Sequence, residues 1–293
     1  MTGVGLALAA AVLVSPRHAG AQAPAGDPVL RGRYIFGAAG GCGCHTVPEQ
    51  AVNTGGRRYD GAFGTVYSTN ITPDRETGIG GWTDEQIIAA IRLGRRPNGE
   101  RLIPVHPYPV FNGMAEADLQ ALVAFLRTVP AVKRENQPKK ITVPFFESVF
   151  LPAWLAAFAP RETPPPSAPT SGIARGEYLV RAVSHCGECH TPRTVTMATD
   201  NSRFLAGNPK GPEDSEVPNI TPDKSTGLTW SEEEIAEYLG TGNKPDGDVA
   251  GGLMAEVIQG TRAGYKDLTR DDRLAIAKYL KSIPPVNNKI TKP

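Results

Sequence analysis

The sequence predicts an all-α protein built from two tandem domains that are joined by a Pro-rich linker. Three observations carry this prediction: an internal repeat, amphipathic helix patterns in both copies of it, and a run of prolines between the copies. The chain has 293 residues, a length that suits about two domains. The predicted boundaries are 28–132 for the first domain, 133–171 for the linker and 172–288 for the second domain.

The internal repeat is the strongest sign of how the chain is organised. The motif RGRY at residues 31–34 recurs as RGEY at 175–178, and NITPD at 70–74 recurs at 219–223. Two further pairs complete the repeat: WTDEQI (82–87) with WSEEEI (230–235), and 118–132 with 272–286. Each half therefore has the same order of helices, loops and candidate site residues.

The helix predictions rest on caps and on periodicity. Thr83 can cap a helix start, and the acidic residues that follow it favour the positive end of the helix dipole. Gly94 is typical of a helix end. Between them Ile87, Ile88 and Ile91 recur at the spacing of one helix face, which predicts an amphipathic helix.

The segment 133–171 between the two copies has two distinct parts. PPPSAP at residues 164–169 predicts a semi-rigid spacer. The stretch 144–160 is strongly apolar, and two interpretations stay open for it. It is either a short helix packed between the domains or an exposed surface that docks on a partner or a membrane.

Residues 1–23 predict a secretory signal peptide. An apolar run at 4–14 is followed by small-x-small cleavage sites, and it is too short to span a bilayer. A buried N-terminal helix is the alternative. The formal net charge is +1, which gives no support for a nucleic-acid partner. The chain ends without a hydrophobic tail, so stable membrane anchoring through this chain alone is not expected.

The second half contains a C-x-x-C-H motif, Cys186-Gly187-Glu188-Cys189-His190, which is the signature of covalent haem attachment. Two thiols on one helical turn can add to the two vinyl groups of a haem, and His190 then points its imidazole at the iron. A disulfide, a redox dithiol and a zinc site are the alternatives. Zinc would need further ligands, and none is obvious nearby.

The first half departs from this motif, because Cys42-Gly43-Cys44-His45 reads C-x-C-H. Relative to the second copy, one residue is absent before Cys44. We interpret this segment as a haem site with a deletion, with His45 as the proximal ligand. Whether Cys42 forms its thioether bond stays open, and a degenerate domain without haem is the alternative.

The sixth iron ligand is the remaining position to assign in each half. Met254, after the long loop of the second half, is the predicted distal ligand there, with core packing as the alternative role. In the first half His106 occupies the same place in the loop order, and Met114 is the second candidate. A bis-histidine haem has a lower potential than a His/Met haem. No catalytic residues are predicted.

Together these motifs resemble those of the diheme and triheme cytochrome c subunits of membrane-associated bacterial dehydrogenases, such as alcohol and gluconate dehydrogenases. Soluble diheme cytochromes that accompany molybdenum hydroxylases are similar too. The resemblance covers nearly all of residues 28–288. Members usually have C-x-x-C-H and a distal Met in each domain, so residues 42–45 and His106 are departures from the family pattern.

The resemblance implies two class-I-like cytochrome c domains with two covalently bound haem c groups. It implies a periplasmic protein, at or near the membrane surface, that transfers electrons from a dehydrogenase toward an oxidase or another cytochrome. Peripheral membrane association fits this setting. The alternative function is a diheme enzyme of the peroxidase or thiosulfate-oxidising type. Such an enzyme needs an open or displaceable ligand position on one haem.

Overall fold

Helices dominate the molecule, and the prediction of a mostly helical protein is confirmed. The computed structural model describes residues 26–160 and 162–291, so the predicted signal peptide (1–23) lies outside the described residues. The α-helices are α1 (Pro28–Ala38), α2 (Asp84–Leu93), α3 (Tyr108–Phe111), α4 (Glu116–Leu126), α5 (Leu151–Phe158), α6 (Gly172–Tyr178), α7 (Gly187–His190), α8 (Glu232–Thr241), α9 (Gly252–Gln259) and α10 (Arg270–Ser282). Shorter helical turns lie at Gly40–His45, Phe146–Phe150, Leu179–Val183, Asn201–Arg203, Pro212–Asp214 and Tyr265–Asp267.

A small antiparallel sheet corrects the all-α prediction. Its strands are β1 (Arg58–Gly61), β2 (Gly64–Tyr67) and β3 (Lys140–Ile141), in that order across the sheet. The hairpin β1–β2 pairs residues rich in Tyr, Thr and Val, which favour strands. Because β3 belongs to the predicted linker and pairs with β2, part of that linker is tied to the first half.

Two close helix crossings repeat between the halves, α1 on α4 and α6 on α10. Each crossing is built around a glycine of the repeated RG motif. A Cβ atom on Gly32 would overlap the carbonyl oxygen of Ala121, and one on Gly176 would overlap that of Ala275. Only glycine permits this approach of two backbones, so the motif is explained by packing.

A buried carboxylate joins the two helices of each crossing. In the first half the Arg31 guanidinium lies 2.5 Å from Asp118, and in the second the Arg175 guanidinium lies 2.6 Å from Asp272. Both aspartates are almost completely shielded from solvent. A buried carboxylate needs a partner of opposite charge, and the arginine that begins the repeated motif provides it.

Each half contributes one tyrosine to the buried carboxylate of the other half, and we call Tyr34 and Tyr178 the exchanged tyrosines. The Tyr178 hydroxyl of the second half donates to Asp118 of the first at 2.6 Å. The Tyr34 hydroxyl of the first half donates to Asp272 of the second at 2.6 Å. Since Tyr34 and Tyr178 are repeat equivalents, the contact between the halves is reciprocal, as in an isologous dimer.

One apolar cluster extends through both halves. Its most deeply buried members, each 1% exposed or less, are Ile35, Phe36, Ala38, Met114, Ala115, Leu119, Val123, Leu179, Val180, Val183, Leu205, Ile258 and Ala277. The halves therefore share a core, which fixes how the candidate sites are placed relative to each other.

The apolar stretch at 144–160 forms the turn Phe146–Phe150 and helix α5, yet Leu151 is its one buried residue among those described. Its large exposed side chains are Phe145 (75% exposed), Val149 (56%), Phe150 (55%) and Phe158 (45%). This exposure favours the interpretation of an outward-facing surface. None of the described helices is long and apolar enough to cross a membrane.

Candidate haem-attachment sites

The second-half attachment segment is a regular helical turn at α7. The amide of Cys189 donates to the carbonyl of Cys186 at 3.3 Å, and that of His190 donates to the same oxygen at 2.9 Å. Residues three apart on such a turn are neighbours on one face. The turn therefore places the two thiols on one face and His190 next to Cys189.

The proximal histidines of both halves are held in the same way. His190 Nδ1 donates to the carbonyl of Pro218 at 2.9 Å, and His45 Nδ1 donates to the carbonyl of Thr69 at 2.7 Å. Burial lowers the pKa of both imidazoles, which favours their neutral form. A neutral imidazole that donates from Nδ1 offers its Nε2 lone pair to a metal.

The NITPD motifs position these carbonyls, a role that sequence reasoning did not assign. Thr69 and Pro218 directly precede the asparagines of the two motifs. Asn70 Nδ2 donates to the carbonyl of Val132 at 2.8 Å, and Asn219 Nδ2 donates to that of Val286 at 2.8 Å. Each loop is thereby fastened to the segment after the closing helix of its half. The only available signal was the repetition of the motif.

The cysteine environments fit covalent attachment better than the alternatives. Burial raises the pKa of Cys42 and of Cys189 to about 12 and that of Cys186 to about 11. Redox-active and metal-binding cysteines instead have lowered pKa values. All four cysteines are free, and no zinc-like group of three His, Cys, Asp or Glu side chains occurs among the described residues.

His106 and His45 lie close together in the first half. Burial first, and then the nearby His45 imidazole, lower the pKa of His106 to about 3. The His106 ring packs 5.5 Å from the ring of Phe111 and 6.4 Å from that of Tyr108. The structure thus brings the predicted proximal and distal histidines of the first half to one site.

The two methionine candidates have different surroundings. Met114 is 1% exposed and belongs to the shared core, directly before α4. Met254 is half-buried in the first turn of α9 and packs against that core. No hydrogen bond or ring contact of the described residues joins Met254 to His190, so its assignment as a distal ligand stays a prediction.

Contacts across the halves bring the two sites near each other, which the sequence did not reveal. Besides burial, the neighbouring Cys44 raises the pKa of Cys189. The Thr261 hydroxyl, beyond α9, donates to the carbonyl of Gly41 at 2.6 Å. The Phe111 ring, next to His106, meets the ring of His185 at 5.2 Å. Each distal segment therefore packs against the attachment segment of the other half.

Anchored imidazoles next to paired thiols, set in small helical units, define the class of c-type cytochromes, and these residues fit a covalently bound haem c. No family model matches the chain. It is 40% identical over 272 residues to "Diheme cytochrome c-type" of Cereibacter sphaeroides, a match that covers 87% of this chain and 86% of that protein. The chain belongs to the diheme c-type cytochromes, which are electron-transfer proteins with covalently bound haem c.

Longer relatives carry more specific names. The chain is 38% identical to the "Alcohol dehydrogenase (quinone), cytochrome c subunit" of Gluconobacter oxydans, over 96% of this chain and 61% of that subunit. It is 35% identical to the "Gluconate 2-dehydrogenase cytochrome c subunit" of Pantoea cypripedii, over 87% of this chain and 59% of that subunit. The chain thus spans about three-fifths of the length of these dehydrogenase subunits.

Proposed function

We propose that this chain is a periplasmic electron carrier with two haem c groups, one in each of two tandem class-I-like cytochrome c domains. It takes electrons from a dehydrogenase and passes them toward a respiratory acceptor. The observation that carries this proposal is the repeated anchoring of His45 and His190 beside Cys44 and Cys189. Haem supplies reversible one-electron chemistry at its iron.

In the second half, Cys186 and Cys189 would hold the haem covalently, and His190 and Met254 would ligate its iron. The hydrogen bond from His190 to Pro218 fixes the imidazole tautomer and its orientation, so His190 would present its Nε2 atom to the iron in a fixed geometry. A thioether ligand favours a high reduction potential. This half is the higher-potential end of the carrier.

In the first half, His45 and His106 would ligate the iron, beside Cys42 and Cys44. The pKa of His106, lowered to about 3, keeps its imidazole neutral and able to ligate at all physiological pH values. Two imidazoles give a lower potential than an imidazole and a thioether. This half would be the lower-potential end of the carrier, where electrons from the dehydrogenase would enter.

The partner we propose is a dehydrogenase, with an oxidase or another cytochrome as acceptor. The names of the dehydrogenase-subunit relatives support the donor. The apolar run within residues 1–23 supports export, and the near-neutral charge supports a protein partner over nucleic acid. Export, the identity of the acceptor and the domain boundaries 28–132 and 172–288 are parts of the proposal.

Peripheral membrane association is the role we propose for the exposed apolar stretch at 144–160. Phe145 and Phe150 project from it with more than half of their surface exposed. Co-sedimentation with phospholipid vesicles tests this role. We expect the purified protein to sediment with the vesicles and the double variant Phe145→Ser/Phe150→Ser to stay in solution, and equal sedimentation of both would contradict it.

Carbon monoxide binding separates the electron carrier from the diheme enzyme. If both haems have two axial protein ligands, the reduced protein shows a c-type α band that carbon monoxide leaves unchanged over minutes. Rapid binding of carbon monoxide to one haem would reveal an open or displaceable position and favour the enzyme. A protein without a reducible c-type spectrum would exclude both functions.

A further inference from the structure

The first attachment segment is one residue shorter than the second, and alignment of the two halves shows where the residue is missing. Cys42 lies as far beyond Tyr34 as Cys186 lies beyond Tyr178, so the first cysteines of the two segments are in register with the preceding helices. The missing residue therefore falls between Cys42 and Cys44.

At the C-terminal end of the attachment segment, His45 and His190 also occupy equivalent positions in the two halves. His45 is anchored to Thr69 at 2.7 Å, and His190 is anchored to Pro218 at 2.9 Å, both directly before an NITPD motif. Since Cys44 precedes an anchored histidine just as Cys189 does, the second thiol keeps its usual relation to the proximal ligand.

The backbone conformation that distinguishes the shorter segment from the longer one lies at Cys42. Gly41 (φ 65°) and its repeat equivalent His185 (φ 43°) are both left-handed. The segments differ at the next residue, since Cys42 is left-handed (φ 48°, ψ 38°) and Cys186 is right-handed (φ −52°, ψ −34°). Left-handed conformations are unfavourable for residues with a Cβ and turn the side chain away from its helical direction. Side chains two residues apart also do not share a face, unlike those three apart.

We propose that the first haem is held by a single thioether bond, from Cys44, and that Cys42 remains a free thiol. This inference rests on the proposed haem in the first half. The S–H group of Cys44 adds across one vinyl group: sulfur bonds to the carbon next to the ring, and the hydrogen goes to the terminal carbon. The addition needs no oxidant, and the second vinyl group stays unsaturated.

Peptide mass spectrometry of the holoprotein, unfolded and alkylated with iodoacetamide, tests the proposal. We expect two haems per chain and one alkylated cysteine, Cys42, while Cys186 and Cys189 are blocked and act as the internal control. The pyridine haemochrome α band should lie at longer wavelength than that of a cytochrome with only doubly attached haem. Blocked thiols at both Cys42 and Cys44, or alkylation of Cys44 with Cys42 blocked, would overturn the proposal.

The haem count separates failure of this inference from failure of the proposed function. One haem per chain, with Cys42 and Cys44 both alkylated, would remove the first haem and overturn both. Two haems with no alkylated cysteine would overturn the single bond and leave the two-haem carrier intact.

Three variants give matched comparisons. Cys42→Ser should retain two haems and yield no alkylated cysteine, whereas Cys44→Ser should lose the covalent haem of the first half. Insertion of a glutamate between Gly43 and Cys44 restores the spacing of the second half and should lower the number of alkylated cysteines from one to zero. An inserted variant that still alkylates at Cys42, with two haems bound, would contradict the role of spacing.

Discussion

His106 and Met114, the two candidate distal ligands of the first half, differ most in what surrounds them. Met114 precedes α4 as Leu268 precedes α10, and both side chains are buried in the shared core. The repeat thus assigns Met114 to packing. His106 lies near His45 and packs against the rings of Tyr108 and Phe111, which favours His106 as the ligand.

The variant His106→Met should raise the reduction potential of the first haem, because a thioether replaces an imidazole on the iron. Potentiometric titration with low-temperature EPR measures the change and should show the bis-histidine signal replaced by a His/Met signal. Met114→Leu is the matched control and should leave both signals unchanged. A changed ligand signal in the control would make Met114 the ligand.

Tyr178→Phe should lower the free energy of unfolding by about 1–3 kcal/mol, since the buried Asp118 loses a hydrogen-bond donor. Denaturant unfolding of the holoprotein measures the loss. Tyr67→Phe removes a hydroxyl that makes no hydrogen bond among the described residues, and it should change stability by less than about 0.5 kcal/mol. Equal effects of the two substitutions would contradict the reciprocal tyrosine contact.

Among the secondary-structure elements, those whose ends are set by neighbouring residues can be predicted from the sequence. Thr83 forms a capping box with Gln86 at the start of α2, and Gly94 ends that helix in a left-handed conformation. Caps and stops depend on residues within one turn, so a sequence motif is enough to predict them. Strand β3 has two residues and pairs with a strand more than 70 positions earlier. Two residues are too few to show the alternation that predicts a strand, so β3 could not be predicted.

The close helix crossings make a prediction about glycine. Gly176→Ala should destabilise the protein by about 1–3 kcal/mol or more, because the new methyl group overlaps the carbonyl oxygen of Ala275. Thermal unfolding measures this loss. Gly251→Ala is the control, since Gly251 has φ −119° and nothing within 4 Å of the added Cβ. A tolerated Gly176→Ala would contradict the crossing geometry.

In the whole molecule, the candidate cysteines and proximal histidines, whose role at haem stays a prediction, could be located in the sequence because their motif is local. The nearness of the two sites could not. It depends on contacts between residues far apart in the chain, such as Phe111 with His185 and Thr261 with Gly41. The same applies to the exchanged tyrosines, whose repeat was visible in the sequence while their partners were not.

The shared core and the exchanged tyrosines predict that the two halves unfold together. Calorimetry of the holoprotein should show one cooperative transition whose calorimetric and van't Hoff enthalpies agree. Two separate transitions, each assigned to one half by its haem absorbance, would show that the halves are independent and would contradict the reciprocal interface.

The central claim is that one chain carries two unequal one-electron centres. Anaerobic titration of the purified, oxidised protein with dithionite, followed at the c-type α band, tests it most directly. We predict the uptake of two electrons per chain in two resolved steps, the higher-potential step belonging to the His/Met haem and the lower to the bis-histidine haem. Uptake of a single electron per chain would contradict the claim.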